Sequence, residues 1–232
     1  MTHFLCYAFP MARQPRIDVA DEIYHIINRA NARQQIFATR QDYRAALIAL
    51  QETLEKVPID IFSYTLMPNH WHFSVRPIQD GDMGKFFGKF TQKVTQRWHA
   101  SHQTTGSGHL FQSRFKSFLV GRESYLLQLM KYIDTNALRA HLVSRAEDWP
   151  WGSLYIRTKY PQLANKLLAP WPMDTPNDYL NDVNQPLSET HLRAIRHSVE
   201  KGKPYGDSDW VNNTIKKYGL KHTARKSGRP KK

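Results

Sequence analysis

The run Ile59-Asp60-Ile61-Phe62-Ser63-Tyr64-Thr65-Leu66, then Met67-Pro68-Asn69, then His70-Trp71-His72-Phe73-Ser74-Val75-Arg76 reads as two β-strands joined by a turn. β-Branched and aromatic residues fill both arms, and Pro68-Asn69 punctuates them. Side chains alternate along a strand, so Trp71, Phe73 and Val75 share an apolar face while His70 and His72 point together from the other. Two imidazoles spaced i, i+2 can hold one divalent cation. The same pair can equally be a polar sheet face, and the strand alone does not decide between them.

Working outward, residues 23–30 (Ile-Tyr-His-Ile-Ile-Asn-Arg-Ala) form a further strand. Thr39 can cap a helix through Tyr43, Ala46, Leu47, Leu50 and Leu54, ending before Pro58. Beyond the hairpin, a second helix from Gly81 to about Ala100 carries Phe86, Phe87, Phe90 and Val94 on one stripe. A polar loop covers 101–108, and 110–120 suggests a fourth strand. A third helix spans about 123–140. The order β-α-β-β-α-β-α predicts an α+β fold, a ferredoxin-like antiparallel sheet with helices on one face. We expect this core over 11–145, a Trp/Pro-rich wrap with a short helix near 188–201 over 146–200, and a basic C-terminal tail over 201–232. Residues 1–10 read as a dispensable extension, since Met11 would serve as a beginning.

The third helix adds chemistry. Leu126, Leu129, Met130, Ile133 and Ala137 repeat at helical spacing as a buried stripe. Tyr132 and Asn136 are i, i+4 on its flank, and Gln128 and Arg139 project in the same general direction. Packed on the sheet by its stripe, this helix could aim a phenol and an amide oxygen at the histidines. Spacing alone also allows a tyrosine that merely covers the core edge beside a solvated Asn136.

Composition narrows the partner. The formal net charge is +13 with a pI near 9.8, which suits a polyanion. Residues 201–232 hold ten Lys and Arg against two Asp, so +8 of that excess lies there. The single cysteine, Cys6, excludes an internal disulfide and a cysteine metal cage. With no apolar run of roughly 18 residues and no signal-peptide pattern, the expectation is no membrane and a cytoplasmic protein.

The string Met67-Pro68-Asn69-His70-Trp71-His72-Phe73, followed later by Tyr132-Ile133-Asp134-Thr135-Asn136, resembles the single-tyrosine HUH transposases. More narrowly it is similar to the REP-associated tyrosine transposases. Tyr24-His25-Ile26-Ile27-Asn28-Arg29 resembles that family's opening strand, Gly108 to Lys116 its segment before the tyrosine helix, and Gly228-Arg229-Pro230-Lys231-Lys232 its terminus. The likeness covers about 11–160 well and the rest patchily. It implies the HUH endonuclease core, with His70, His72 and Asn136 as metal ligands and Tyr132 as nucleophile. One departure stands out: Ala137 follows the asparagine where the family usually has proline.

The resemblance implies a bacterial, nucleoid-associated enzyme that cuts and joins single-stranded REP-like hairpin DNA through a 5′-phosphotyrosine. Mg2+ or Mn2+ would be the cofactor, with no small-molecule cofactor, and the protein would act as a monomer or homodimer. A free phenol titrates near about 10 and is a weak nucleophile without help. Arg29, Arg114, Lys116 and Arg139 are candidate DNA contacts, and Arg229-Pro230 resembles a minor-groove clamp; the basic side chains could also simply solvate a sheet edge. The alternative is a non-catalytic or domesticated DNA-binding protein. A replication initiator would bring a third histidine or a tyrosine pair, and a metal-free RNA phosphoesterase would bring two separated histidine motifs.

Overall fold

The protein is described here from a computed structural model over residues 16–224. The expected extension at 1–10, Cys6 and Arg229 lie outside the described residues. Four strands, β1 (Tyr24–Arg29), β2 (Ile59–Met67), β3 (His70–Pro77) and β4 (Lys116–Leu119), form one antiparallel sheet in the order β2-β3-β1-β4. That is the ferredoxin-like arrangement. The crossover helices α1 (Arg40–Leu54) and α2 (Asp82–Ser101) pack together on one face.

Local chemistry starts both helices. Thr39 and Asp42 form a reciprocal capping box, Thr39 N–H donating to Asp42 Oδ2 at 2.8 Å and Asp42 N–H to Thr39 Oγ1 at 3.3 Å. The Asp18 carboxylate accepts from Met83 and Gly84 N–H at the start of α2 (3.1 and 2.6 Å). A Cβ on Gly84 would meet that carboxylate at 2.9 Å, so the close approach requires glycine. Beneath them Trp71 lies 4.9 Å from Phe90 and 4.6 Å from Phe111, and Phe73 lies 5.3 Å from Phe87, centroid to centroid. This face is a close-packed apolar layer.

The opposite face takes α3 (Ser124–Asp134), whose Leu126, Leu129, Met130 and Ile133 pack on Ile23, Phe62 and Phe118. It is followed by α4 (Asn136–Arg139). Two expected elements are shorter than the sequence suggested. Leu110 and Phe111 are adjacent yet enter the same core cluster, which a regular strand cannot do, so only 116–119 of the expected 110–120 is strand. The helix expected over 123–140 breaks at Thr135 (φ −87°, ψ 4°), where the Thr135 hydroxyl donates to the Lys131 carbonyl at 2.7 Å. The break occurs with alanine, not proline, at position 137.

The rest of the chain seals the edges of the sheet. Trp149 Nε1 donates to Leu66 O at 2.9 Å, Leu66 N–H to Trp151 O at 3.0 Å, and Ala169 N–H to Ile61 O at 3.0 Å. These bonds occupy the free edge of β2, which would otherwise template pairing with another chain. Trp151 stacks on Tyr43 at 4.6 Å, so it packs the core margin. Helices α5 (Ser153–Lys159), α6 (Pro161–Leu167), α7 (Tyr179–Asn184) and α8 (Glu189–Lys201) follow. Of the stretch expected as a basic tail, the described residues 201–224 carry α9 (Ser208–Lys217) and a 3-10 turn (Leu220–Ala224). An Asp207 cap on Trp210 N–H (2.9 Å) and a Tyr205 bond to β4 (N–H to Leu119 O, 2.9 Å) explain why charge alone misjudged it.

Candidate functional site

Register on the helix-α3 face builds the site. In β3, His70 and His72 stand opposite Arg29 and Ile27 of β1, and His25 stands opposite Ser74. The imidazoles of His70 and His72 lie 5.0 Å apart, nearly perpendicular. Tyr132 comes down from α3 with its ring 5.7 Å from His72 and edge-on to it. A cavity of about 340 Å³ is lined by Arg29, His70, His72, Tyr132, Asn136 and Arg139, among others. Arg114 and Lys116 line an adjoining cleft with Arg29 and are absent from this cavity. Gln128 turns away: its Oε1 accepts from Tyr205 Oη at 2.5 Å.

A hydrogen bond fixes the tautomer of His70. Asn69 Nδ2 donates to Arg33 O at 3.1 Å, which turns its Oδ1 toward His70 Nδ1 at 2.7 Å. That oxygen can only accept, so His70 carries its proton on Nδ1 and its Nε2 keeps a lone pair. His72 Nδ1 meets His25 Nε2 at 2.8 Å. Burial and nearby Arg29 lower His70 to about 4. Burial, then the neighbouring His70, His25, Arg139 and Arg29, hold His72 well below the ordinary range, and burial lowers His25 to about 3. All three are neutral at pH 7, the form in which imidazole ligates a metal.

Asn136 is tied on both sides: Nδ2 donates to Tyr132 O at 3.1 Å and Oδ1 accepts from Arg139 Nη2 at 3.0 Å. Its carbonyl oxygen retains a second lone pair. Arg139 also donates to Tyr132 O at 2.9 Å and to the Thr135 hydroxyl, and its guanidinium sits 4.3 Å over the Tyr132 ring. This cation holds the phenol-bearing turn in place. Among the described residues no group of three or more His, Cys, Asp or Glu is placed to hold a metal ion. Any cation here would rest on two imidazoles and an amide oxygen, a mixed nitrogen and oxygen set.

Three contributors escaped the sequence reading. His25 is fully buried behind His72, with its Nδ1 unpartnered. Its alternation with Ile27 and Arg29 put it on this face, but its place behind His72 depended on a register no motif prints. Arg196 and Val199 of α8 also line the cavity, brought there from some sixty residues downstream of Tyr132.

Fold and site together define a ferredoxin-like core with a tyrosine helix laid over a histidine pair. The sequence pattern of the IS200-like transposases matches residues 18–136, just over half of the chain, and the protein belongs to that family. By fold it resembles a REP-associated tyrosine transposase solved bound to a REP hairpin, at 16% identity and a TM-score of 0.52 over 77% of this chain and 96% of that one. A Deinococcus radiodurans R1 protein described as a transposase aligns at 16% identity over 53% of this chain and 96% of its own, with a TM-score of 0.38. No curated relative matches by sequence.

Proposed function

We propose that the Tyr132 cavity is the catalytic centre of a metal-dependent, single-stranded DNA endonuclease and strand transferase of the HUH type, acting on REP-like hairpins. What supports this reading is one observation: in a member of a transposase family, Tyr132, His70, His72 and Asn136 line the same small cavity. The Nε2 atoms of His70 and His72 and the free lone pair of Asn136 Oδ1 would hold Mg2+ or Mn2+. When bound, the cation polarises a nonbridging phosphate oxygen and so eases nucleophilic attack.

The chain's own residues do the rest. Tyr132 Oη attacks phosphorus and gives up its proton; the bond from phosphorus to the 3′ oxygen breaks, that oxygen takes a proton, and DNA stays joined through a 5′-phosphotyrosine. The new ester conserves the energy of the old one, so a later 3′ hydroxyl can reverse the step without ATP. Arg29 and Arg139 place positive charge beside the phosphate, and Arg139 steadies the ring that attacks. A bacterial setting at the nucleoid accords with such a substrate.

A denaturing gel tests the reading. Purified protein is mixed with a labelled REP-like hairpin carrying single-stranded arms and Mn2+. The expected result is a covalent protein–DNA band that disappears with Tyr132→Phe and with EDTA. Binding without a band across several metals and hairpins would instead make this a non-catalytic DNA-binding protein.

A further inference from the structure

Val199 of α8 stands where three cavities meet. The first holds Tyr132. The second is a narrow neck of about 90 Å³ walled by Arg29, Arg114 and Lys116. The third, about 630 Å³, runs along the outer edge of β4 and is lined by Phe115, Lys116, Tyr218 and His222, among others. The first two share Ile27 and Arg29; the last two share Arg114 and Lys116. They make one groove. Its floor is β1 and β4, where Ile27 lies opposite Lys116, and its direction follows β1 for about 17 Å from Arg29 to Tyr24. Its wall is α8, seated by Leu192 and Ile195 in the cluster beneath α3.

The chemistry of the lining selects an occupant. No salt bridge among the described residues engages Arg29, Arg114, Lys116 or Arg196. The carboxylate in the groove, Glu200, pairs with Lys201 at 3.1 Å. At the far end Phe115 is buried beneath the Arg16 guanidinium, 3.6 Å over its ring, and the half-buried Tyr218 carries Lys217 Nζ 4.7 Å over its own, so both rings hold a cation at the groove. Cations spaced along a continuous groove suit the phosphates of a single strand.

We infer that the groove walled by α8 is the track along which the single-stranded stretch leads away from the scissile phosphate. Its phosphates lie on Arg29, Arg114, Lys116 and Arg196, and bases enter the wider hollow beside Tyr218. The inference rests on the reading of the Tyr132 cavity as a DNA site. It gives α8, which lies outside the family-matched residues 18–136, a part in holding substrate.

The test uses the full chain, EDTA and a fluorescent hairpin whose single-stranded arms are shortened stepwise on either side. In wild type, shortening one arm weakens binding and shortening the other does not. The double reversal Lys116→Glu/Arg196→Glu weakens binding at least tenfold, lowers the salt slope by about 1.4, and removes the arm dependence. The reversal Lys159→Glu/Lys166→Glu, of equal charge on the exposed surface of α5 and α6, changes affinity less than twofold. Val199→Trp blocks the groove without changing charge and gives the same loss of arm dependence; its thermal melt checks folding. If the groove variants match the control while wild type still forms the Tyr132 adduct, the track is wrong and the catalytic reading stands. If wild type binds no hairpin at all, both fall.

Discussion

His25 shows how one atom can govern its neighbour. For His72 Nε2 to offer a lone pair, its Nδ1 must donate to His25 Nε2, and His25 must then carry its proton on the unpartnered Nδ1. On the proposed reading β1 would hold the ligating tautomer of His72 from behind, as outer partners of metal-bound histidines generally do. His25→Phe should keep the fold, since a ring of similar shape enters a site already lined by Phe118 and Tyr132. It should weaken Mn2+ binding roughly 10- to 100-fold, read by calorimetry without DNA. Unchanged affinity would mean that His25 merely fills space. Arg139→Gln tests the other side of the site. With its cation–π contact to Tyr132 and its bonds to the Tyr132 carbonyl and Asn136 Oδ1 gone, the adduct should form at least tenfold more slowly at saturating Mn2+.

At the scale of elements, α3 is pinned from outside the core. Asp134 accepts from Tyr179 Oη at 2.9 Å and from Ser153 Oγ at 3.1 Å, and Ser153 Oγ accepts from Tyr64 N–H of β2 at 2.9 Å. Burial raises Asp134 to about 6 from an ordinary 3.8, against the lowering effect of those hydrogen bonds. The native protein therefore binds a proton between those values that the unfolded chain releases. Stability from this group rises as pH falls from about 6 to about 4 and is lost as pH rises again. His25 and His72, buried neutral, act oppositely below their ordinary 6.5, so the comparison must be with Asp134→Asn. Chemical denaturation should show wild type gaining on that variant by on the order of 3 kcal/mol between pH 6.5 and 3.5; a flat difference would refute it. None of this network was legible beforehand. The periodicities of 2 and 3.6 set out the order of the elements as far as α3; the His-x-His alternation and the Tyr132 and Asn136 spacing each left two readings open, and only the family resemblance singled those residues out. The Thr135 break, the partners of Asp134 and the short β4 depend on contacts between distant segments. Local pattern carries no record of them.

Across the whole molecule, charge and edges have separate duties. The segments after residue 145 cover the outer strand β2 by backbone bonding, and Ser153 is one of the fasteners. Ser153→Ala leaves a buried Tyr64 N–H unpaired and should cost about 1–3 kcal/mol, measured by urea titration. The net +13 instead serves association: binding of a single strand should weaken steeply with added salt, by about 0.7 in log–log slope for each phosphate neutralised. Among the described residues no helix is long and apolar enough to cross a membrane.

Four residues, 120 to 123, join β4 to α3. At about 3.5 Å apiece so brief a tether keeps Tyr132 above the histidines of its own chain. On the proposed reading one copy carries all of the reacting groups, so adduct formation should be first order in protein and show no concentration threshold. Nor should two damaged molecules repair each other: mixing Tyr132→Phe with His72→Ala should leave the gel empty of adduct, because neither can lend the other what it lacks.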